Sequence, residues 1–128
     1  MKKNITNQVI IDTVNSIGGI TARPLPVKVS YAISKNLKKL QKEAELYDEE
    51  RAKLLKRCGV KKEDGTLNVQ EDGTVNIMPE CKEEWTKGLN ELLNIEVEID
   101  IHEFSIEELS NFNMSVQEMN MIDFMLKE

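Results

Sequence analysis

Histidine occurs once in this 128-residue chain, at position 102, and cysteine only twice, at 58 and 81. A Ser-His-Asp or Cys-His catalytic site would have to be built on His102. The run HEFS that begins there lacks the second histidine of the HExxH zinc motif. Cys58 and Cys81 show no metal-ligand spacing; a bridge between them stays open, although two thiols in so short a chain fit a reducing compartment better. Neither GxxxxGK[ST] nor GxGxxG is present, so the usual phosphate-cradling loops are missing. With six aromatic residues in all, the core must rest on Ile, Leu, Val and Met. No apolar run approaches the roughly 20 residues that cross a bilayer. Asn4, Thr6, Asn7 and Gln8 interrupt any secretory segment behind Lys2 and Lys3. These absences describe one intracellular, soluble, acidic domain spanning 1–128, with no cofactor or metal and no membrane association.

What is abundant is charge, and it is unevenly placed. Residues 1–62 carry 14 Lys/Arg against 6 Asp/Glu, or +8; residues 63–128 carry 3 against 17, or −14. Either opposite charges meet within the fold, or the two halves face different partners.

Apolar spacing predicts a helix over 4–17, with Ile5, Val9, Ile10, Val14 and Ile17 on one stripe and Gly18-Gly19 as its stop. After ITARPLP, a long helix is expected over 27–58. Ile33, Leu37, Leu40, Ala44, Tyr47, Arg51, Leu54 and Cys58 alternate steps of four and three, the 3.5-residue period of a coiled-coil seam. Such a helix is roughly 48 Å long. It must pack along another helix or project, and the irregular seam, with Arg51 on it, favours packing within the chain.

The eight-residue near-repeat EDGTLNVQ-EDGTVNIM suggests a β-hairpin over 66–78. A three-residue loop, Glu71-Asp72-Gly73, pairs Val69 with Val75 and Leu67 with Ile77 and gathers all four on one face. Pro79 opens a helix over 79–93 with Trp85, Leu89, Leu92 and Leu93 inward; it is expected to return along the outer half of the long helix. IEVEIDIH, 95–102, alternates as a strand with Ile95, Val97, Ile99 and Ile101 on one side. Two capping boxes follow, Ser105 with Glu108 and Ser115 with Glu118, the second opening a terminal helix over 116–127. The fold class is α+β and mainly helical: a long helical spine, a returning helix, a β-hairpin and one further strand.

Three groups of residues are candidates for function. The ladder Glu96, Glu98, Asp100 could hold Mg²⁺ or Ca²⁺ through oxygen ligands, although neighbours two apart on a strand stand about 7 Å from each other and a solvated strand face explains them as well. Lys35, Lys38, Lys39 and Lys42 form a basic strip on the long helix; with no aromatic interleaved and an acidic chain overall, nucleic-acid binding is not expected. The tail carries Met114, Met119, Met121, Phe124 and Met125 on more than one face, suiting either a helix buried on two sides or an adaptable partner surface.

The runs LPVKVSYAISKNLKKLQKEAELYDEERAKLLKRCG, LLNIEVEIDIHEFSIEELSNF and IDFMLKE resemble a family of short, uncharacterised proteins (a domain of unknown function) from phages and prophages of Gram-positive bacteria. The likeness extends over about residues 5–127 as an overall pattern without a catalytic motif. It implies origin, in a phage or prophage, and action in the bacterial host cytoplasm or in the virion; it carries over no activity and no site residues. The expectation is a non-enzymatic phage accessory protein that binds a host or phage protein, modulating or inhibiting a host factor such as a defence component. The alternatives are a self-associating virion or assembly component, and a metal-dependent enzyme built on Glu96, Glu98 and Asp100.

Overall fold

The computed structural model describes residues 1–127, and its tertiary contacts separate two compact units: Met1–Ala44 together with the chain from Glu96 onward, and Glu45–Ile95. The fold is α+β and mainly helical. α3 (Val27–Cys58) is the continuous 32-residue helix that its 3.5-residue seam predicts; it contributes its first part to one unit and its second part to the other. No helix among the described residues is long and apolar enough to cross a membrane.

The first unit begins with a difference from the sequence reading. Lys2–Thr6 is a strand, β1, and the helix α1 runs only over Asn7–Ser16. Ile5 satisfies the helical stripe, but it satisfies the strand period equally well. The decision falls to β2 (Glu96–Asp100), whose backbone groups need an antiparallel partner; Ile5 lies opposite Val97, and Lys2 opposite Asp100. Thr6 then caps α1, its hydroxyl oxygen accepting from the Val9 amide at 3.3 Å. Gly18-Gly19 does not end the helical region, since α2 (Gly18–Thr21) adds another turn.

β2 is shorter than the expected 95–102. Ile95 is exposed instead of joining the inward row, while Ile99 and Ile101 are buried. Beyond β2 the chain is held by Asn36 of α3, a fully buried polar residue. Its side-chain amide donates to the His102 carbonyl (2.9 Å) and its oxygen accepts from the His102 amide (2.7 Å), satisfying all four groups. The core gathers Ile10, Ile20, Val29, Ile33, Leu40 and Ile101 with residues of the tail. The terminal helix is likewise shorter than the expected 116–127: α5 covers Val116–Ile122, and a 3₁₀ turn, Asp123–Met125, follows. Phe104 draws the chain end out of the helix; its amide donates to the Met125 carbonyl, and its carbonyl accepts from the Lys127 amide. Ser115 and Glu118 form the expected capping box, and the Ser105 amide donates to Glu108 at the start of the 3₁₀ turn Ile106–Leu109.

The second unit contains the other correction. Val69 pairs with Val75 and Gly73 takes a φ of 85°, as the three-residue loop requires. Leu67 and Ile77, however, do not face each other. Leu67 bridges Lys61, and Ile77 bridges Gly59. Three extended segments, 59–61, 67–69 and 75–77, thus form a triangle in which each pairs with both others, all antiparallel. The eight-residue repeat is the reason. Both EDG runs close the same turn, with Gly65 and Gly73 at φ 86° and 85°. Asp64 accepts from the Thr66 amide and hydroxyl, and Asp72 does the same from Thr74. Two hairpins therefore share the middle segment, and residues 59–62 gain partners that a single hairpin over 66–78 would leave them without. The third corner is open, where the Met78 amide donates to the Cys58 carbonyl at 2.8 Å.

Gly59 sits at that corner under tight constraint. A Cβ there would lie 2.7 Å from the Leu55 carbonyl oxygen, 2.8 Å from Leu67 and 2.9 Å from Val75. A 3₁₀ turn, Pro79–Cys81, then leads into α4 (Lys82–Leu93), which returns along the second part of α3. Gly88 opposes Leu54, the Arg57 Nε lies 2.7 Å from a Glu84 oxygen, and Arg51 lies over the Trp85 ring at 5.4 Å.

Candidate functional site

On α3 the seam residues Ile33, Leu40 and Ala44 are buried in the first unit, and Tyr47, Leu54 and Cys58 in the second. That orientation turns a second stripe outward. Lys28, Tyr31, Lys35, Lys38 and Lys42 alternate steps of three and four and are all exposed. Tyr31, 56% exposed, is the aromatic that the sequence reading did not place with the lysines. It lies edge-on to His102 with ring centroids 5.5 Å apart, and the Lys35 ammonium lies 5.4 Å from its ring centre. The period-seven recurrence of position 31 relative to 38 is the signal that could have found it.

Lys39, on the flank of this stripe, turns toward the sheet and donates to the Asp100 carbonyl at 2.6 Å. Two adjoining depressions, of about 310 and 340 Å³, share His102, Glu103 and Lys127 in their walls; Lys35 and Lys39 line one, Lys28 and Tyr31 the other. The carboxylates along this rim are already engaged. Glu103 lies 3.6 Å from the Lys3 ammonium, Glu108 accepts from the Ser105 amide, and Asp100 meets the chain's amino group at 3.1 Å. The hydrogen bond and charge of that amino group, followed by Lys39 and Lys2, hold the Asp100 carboxyl below its ordinary range. The result is an outward-facing cationic surface with an aromatic at its centre, suited to carboxylates or other anions at protein distances.

Glu96, Glu98 and Asp100 share the exposed face of β2, opposite Thr6, Asn4 and Lys2, and the Lys2 ammonium lies 3.8 Å from Glu98. Their side chains do not draw together into a three-ligand group among the described residues. The tail residues are placed differently again. Met125 is fully buried, and Met114, Met119, Met121 and Phe124 are half-buried against the core. Met114 and Met119 line a depression of about 300 Å³ with Phe112, and Met121 one of about 280 Å³ with Val9.

The charge division of the sequence does not survive as a division of the molecule. The first unit holds 9 Lys/Arg and 11 Asp/Glu, the second 8 and 12. Antiparallel pairing of β1 with β2 brings basic and acidic ends together, so opposite charges meet inside one unit.

The sequence reading left a bridge between Cys58 and Cys81 open and saw no metal-ligand spacing in them; both are free thiols, with a carboxylate beside them. Cys58, at the end of α3, and Cys81, at the start of α4, lie with Glu84 so that one ligand atom of each falls within 4.8 Å of the others. Cys58 is buried and Cys81 half-buried. Cys81 Sγ is 3.8 Å from Glu84 Oε2, while Glu84 Oε1 is the oxygen held by Arg57. The neighbouring Cys58 thiol, followed by desolvation and the Glu84 charge, pushes the Cys81 thiol up to about 11. Twenty-odd residues separate the two cysteines, and no spacing rule connects them. The triangle does, by returning Met78 to Cys58 and leaving Cys81 one turn further on. Comparison with family models, curated proteins and solved structures finds no match for the chain.

Proposed function

We propose that this chain is a non-enzymatic phage or prophage accessory protein that binds another protein in the host cytoplasm and so modulates or inhibits a host factor, such as a defence component. The observation that supports this reading is the outward stripe Lys28, Tyr31, Lys35, Lys38, Lys42, a cationic and aromatic surface on a chain whose net charge is −6. Surfaces of this kind attract an acidic partner and set its orientation, and an exposed tyrosine gives contact area at low entropic cost. Lys35, Lys38 and Lys42 supply the charge; Lys39, engaged with the Asp100 carbonyl, holds the helix to the sheet.

The test uses tagged full-length chain and a variant carrying Lys35→Glu, Lys38→Glu and Lys42→Glu, offered to infected host lysate. The expected outcome is a defined host protein held by the native chain at low salt, released as salt rises, and absent from the variant. Native bait that stays bare, or equal capture by both baits, overturns the reading.

A further inference from the structure

We propose that Cys58, Cys81 and Glu84 form a binding site for a divalent cation of the zinc class, which staples the end of α3 to the start of α4. The ligand set suits the metal: two sulfurs and a carboxylate oxygen are common zinc donors, and three protein ligands leave a fourth position for water. Zinc bound at about 2.3 Å to sulfur and about 2.1 Å to oxygen holds its ligand atoms roughly 3.5–3.8 Å apart. The observed cluster, within 4.8 Å, needs to contract by about an ångström at most.

The surroundings are built for this role. Arg57 fixes Glu84 through Oε1 at 2.7 Å, leaving Oε2 on the sulfur side of the carboxylate. That is the arrangement in which an outer residue orients a metal-binding carboxylate. Charge also balances: two thiolates and a carboxylate against a dication leave one negative charge, which the Arg57 guanidinium neutralises. On binding, each thiol loses its proton to solvent and each sulfur gives a lone pair to the metal, with no change in oxidation state.

The second unit has reason to carry such a staple. Among the described residues its buried hydrophobic side chains are only Tyr47, Leu54 and Cys58. Units with so little core commonly draw stability from a structural metal. The site closes the one corner of the triangle that has no turn.

The test takes the full chain, reduced and stripped of metal, and titrates it with Zn²⁺ against a chromophoric chelator, then with Co²⁺ as a spectroscopic probe. One Zn²⁺ per chain, a thiolate-to-cobalt charge-transfer band and a melting temperature raised by several degrees are expected. All three should be lost in Cys81→Ser, and Arg57→Gln should weaken Zn²⁺ binding about tenfold. Cys81 is chosen because Cys58 is fully buried and its substitution would also disturb packing. If Cys81→Ser fails to fold, Glu84→Gln at its exposed position decides instead, with affinity reduced tenfold or more. No Zn²⁺ retained by the native chain, no charge-transfer band, or unchanged affinity in the folded variant overturns the proposal.

Discussion

The two units are held together by different physics. In the first, sixteen buried hydrophobic residues form one cluster, from Ile5 and Ile10 through Ile33 and Leu40 to Ile122 and Met125. In the second, Tyr47, Leu54 and Cys58 are the buried hydrophobic side chains among the described residues. Its order comes instead from two identical turns, a ring of backbone hydrogen bonds, two glycines at close contacts and an arginine–carboxylate pair. A hydrophobic cluster spreads its stabilisation over many contacts that can adjust to one another. A triangle of single bridges depends on backbone geometry at a few points, so small steric changes there act strongly and locally.

The comparison can be broken or sharpened by substitution. Leu40→Ala removes a fully buried side chain at the centre of the first unit. It should cost about 2–5 kcal/mol, read as a lower melting temperature and a lower midpoint in urea. If the second unit keeps its slow amide exchange when the first melts early, the units unfold separately; joint loss would show that α3 couples them. Gly59→Ala places a Cβ 2.7 Å from the Leu55 carbonyl oxygen. Backbone cannot move aside as a flexible side chain can, so a cost of about 1–3 kcal/mol is expected. Faster exchange at the Asn68, Gln70 and Met78 amides, with the first unit unchanged, is the signature. A tolerated alanine would mean the open corner is looser than its contacts indicate.

The smallest expected effect is the pH response of the two turns. Hydrogen bonds from the Thr66 hydroxyl and then its amide lower the Asp64 pKa below 3.8, and Thr74 does the same for Asp72. A carboxylate with a depressed folded pKa contributes stability that is present above the unfolded value and lost as pH falls through the folded one. Acidification below about pH 4 should therefore loosen these turns, and Thr74→Val should remove most of the response at the second turn. Chemical shifts of the Gly65 and Gly73 amides report it directly. Unchanged shifts of both amides through that range would overturn it.

Much of the helical architecture is legible in the residues. The seam from Ile33 to Cys58 gives α3 its length and its buried side, because a 3.5-residue period over four heptads has no other regular solution. Ser115 with Glu118, and Gly73 in its three-residue loop, are local devices whose partners lie within a few residues. The errors fall where two local solutions are equally good. Ile5 fits both the helical stripe and the strand alternation, and only β2, some ninety residues away, selects the strand. Leu67 and Ile77 suit a hairpin face, yet segment 59–62 offers both edges of that hairpin another partner.

The candidate surfaces divide in the same way. The lysine strip was legible because a helix face depends on spacing alone; Tyr31 belongs to it by the same rule. Where the tail methionines point was not legible, because a short amphipathic helix records how many faces are apolar and not what covers them. Met125 is buried because Phe104 captures the following backbone, a pairing across some twenty residues.

By itself, then, the sequence determined the long helix, its returning partner, the repeated turns and the exposed basic face, since each follows from periodicity or from hydrogen bonds within one turn of chain. Only the tertiary structure decided that β1 is a strand, that three segments close a triangle, and that Cys58, Cys81 and Glu84 meet. Those outcomes depend on which distant backbone groups find partners, and unpaired backbone in a packed interior is too costly for local preference to prevail.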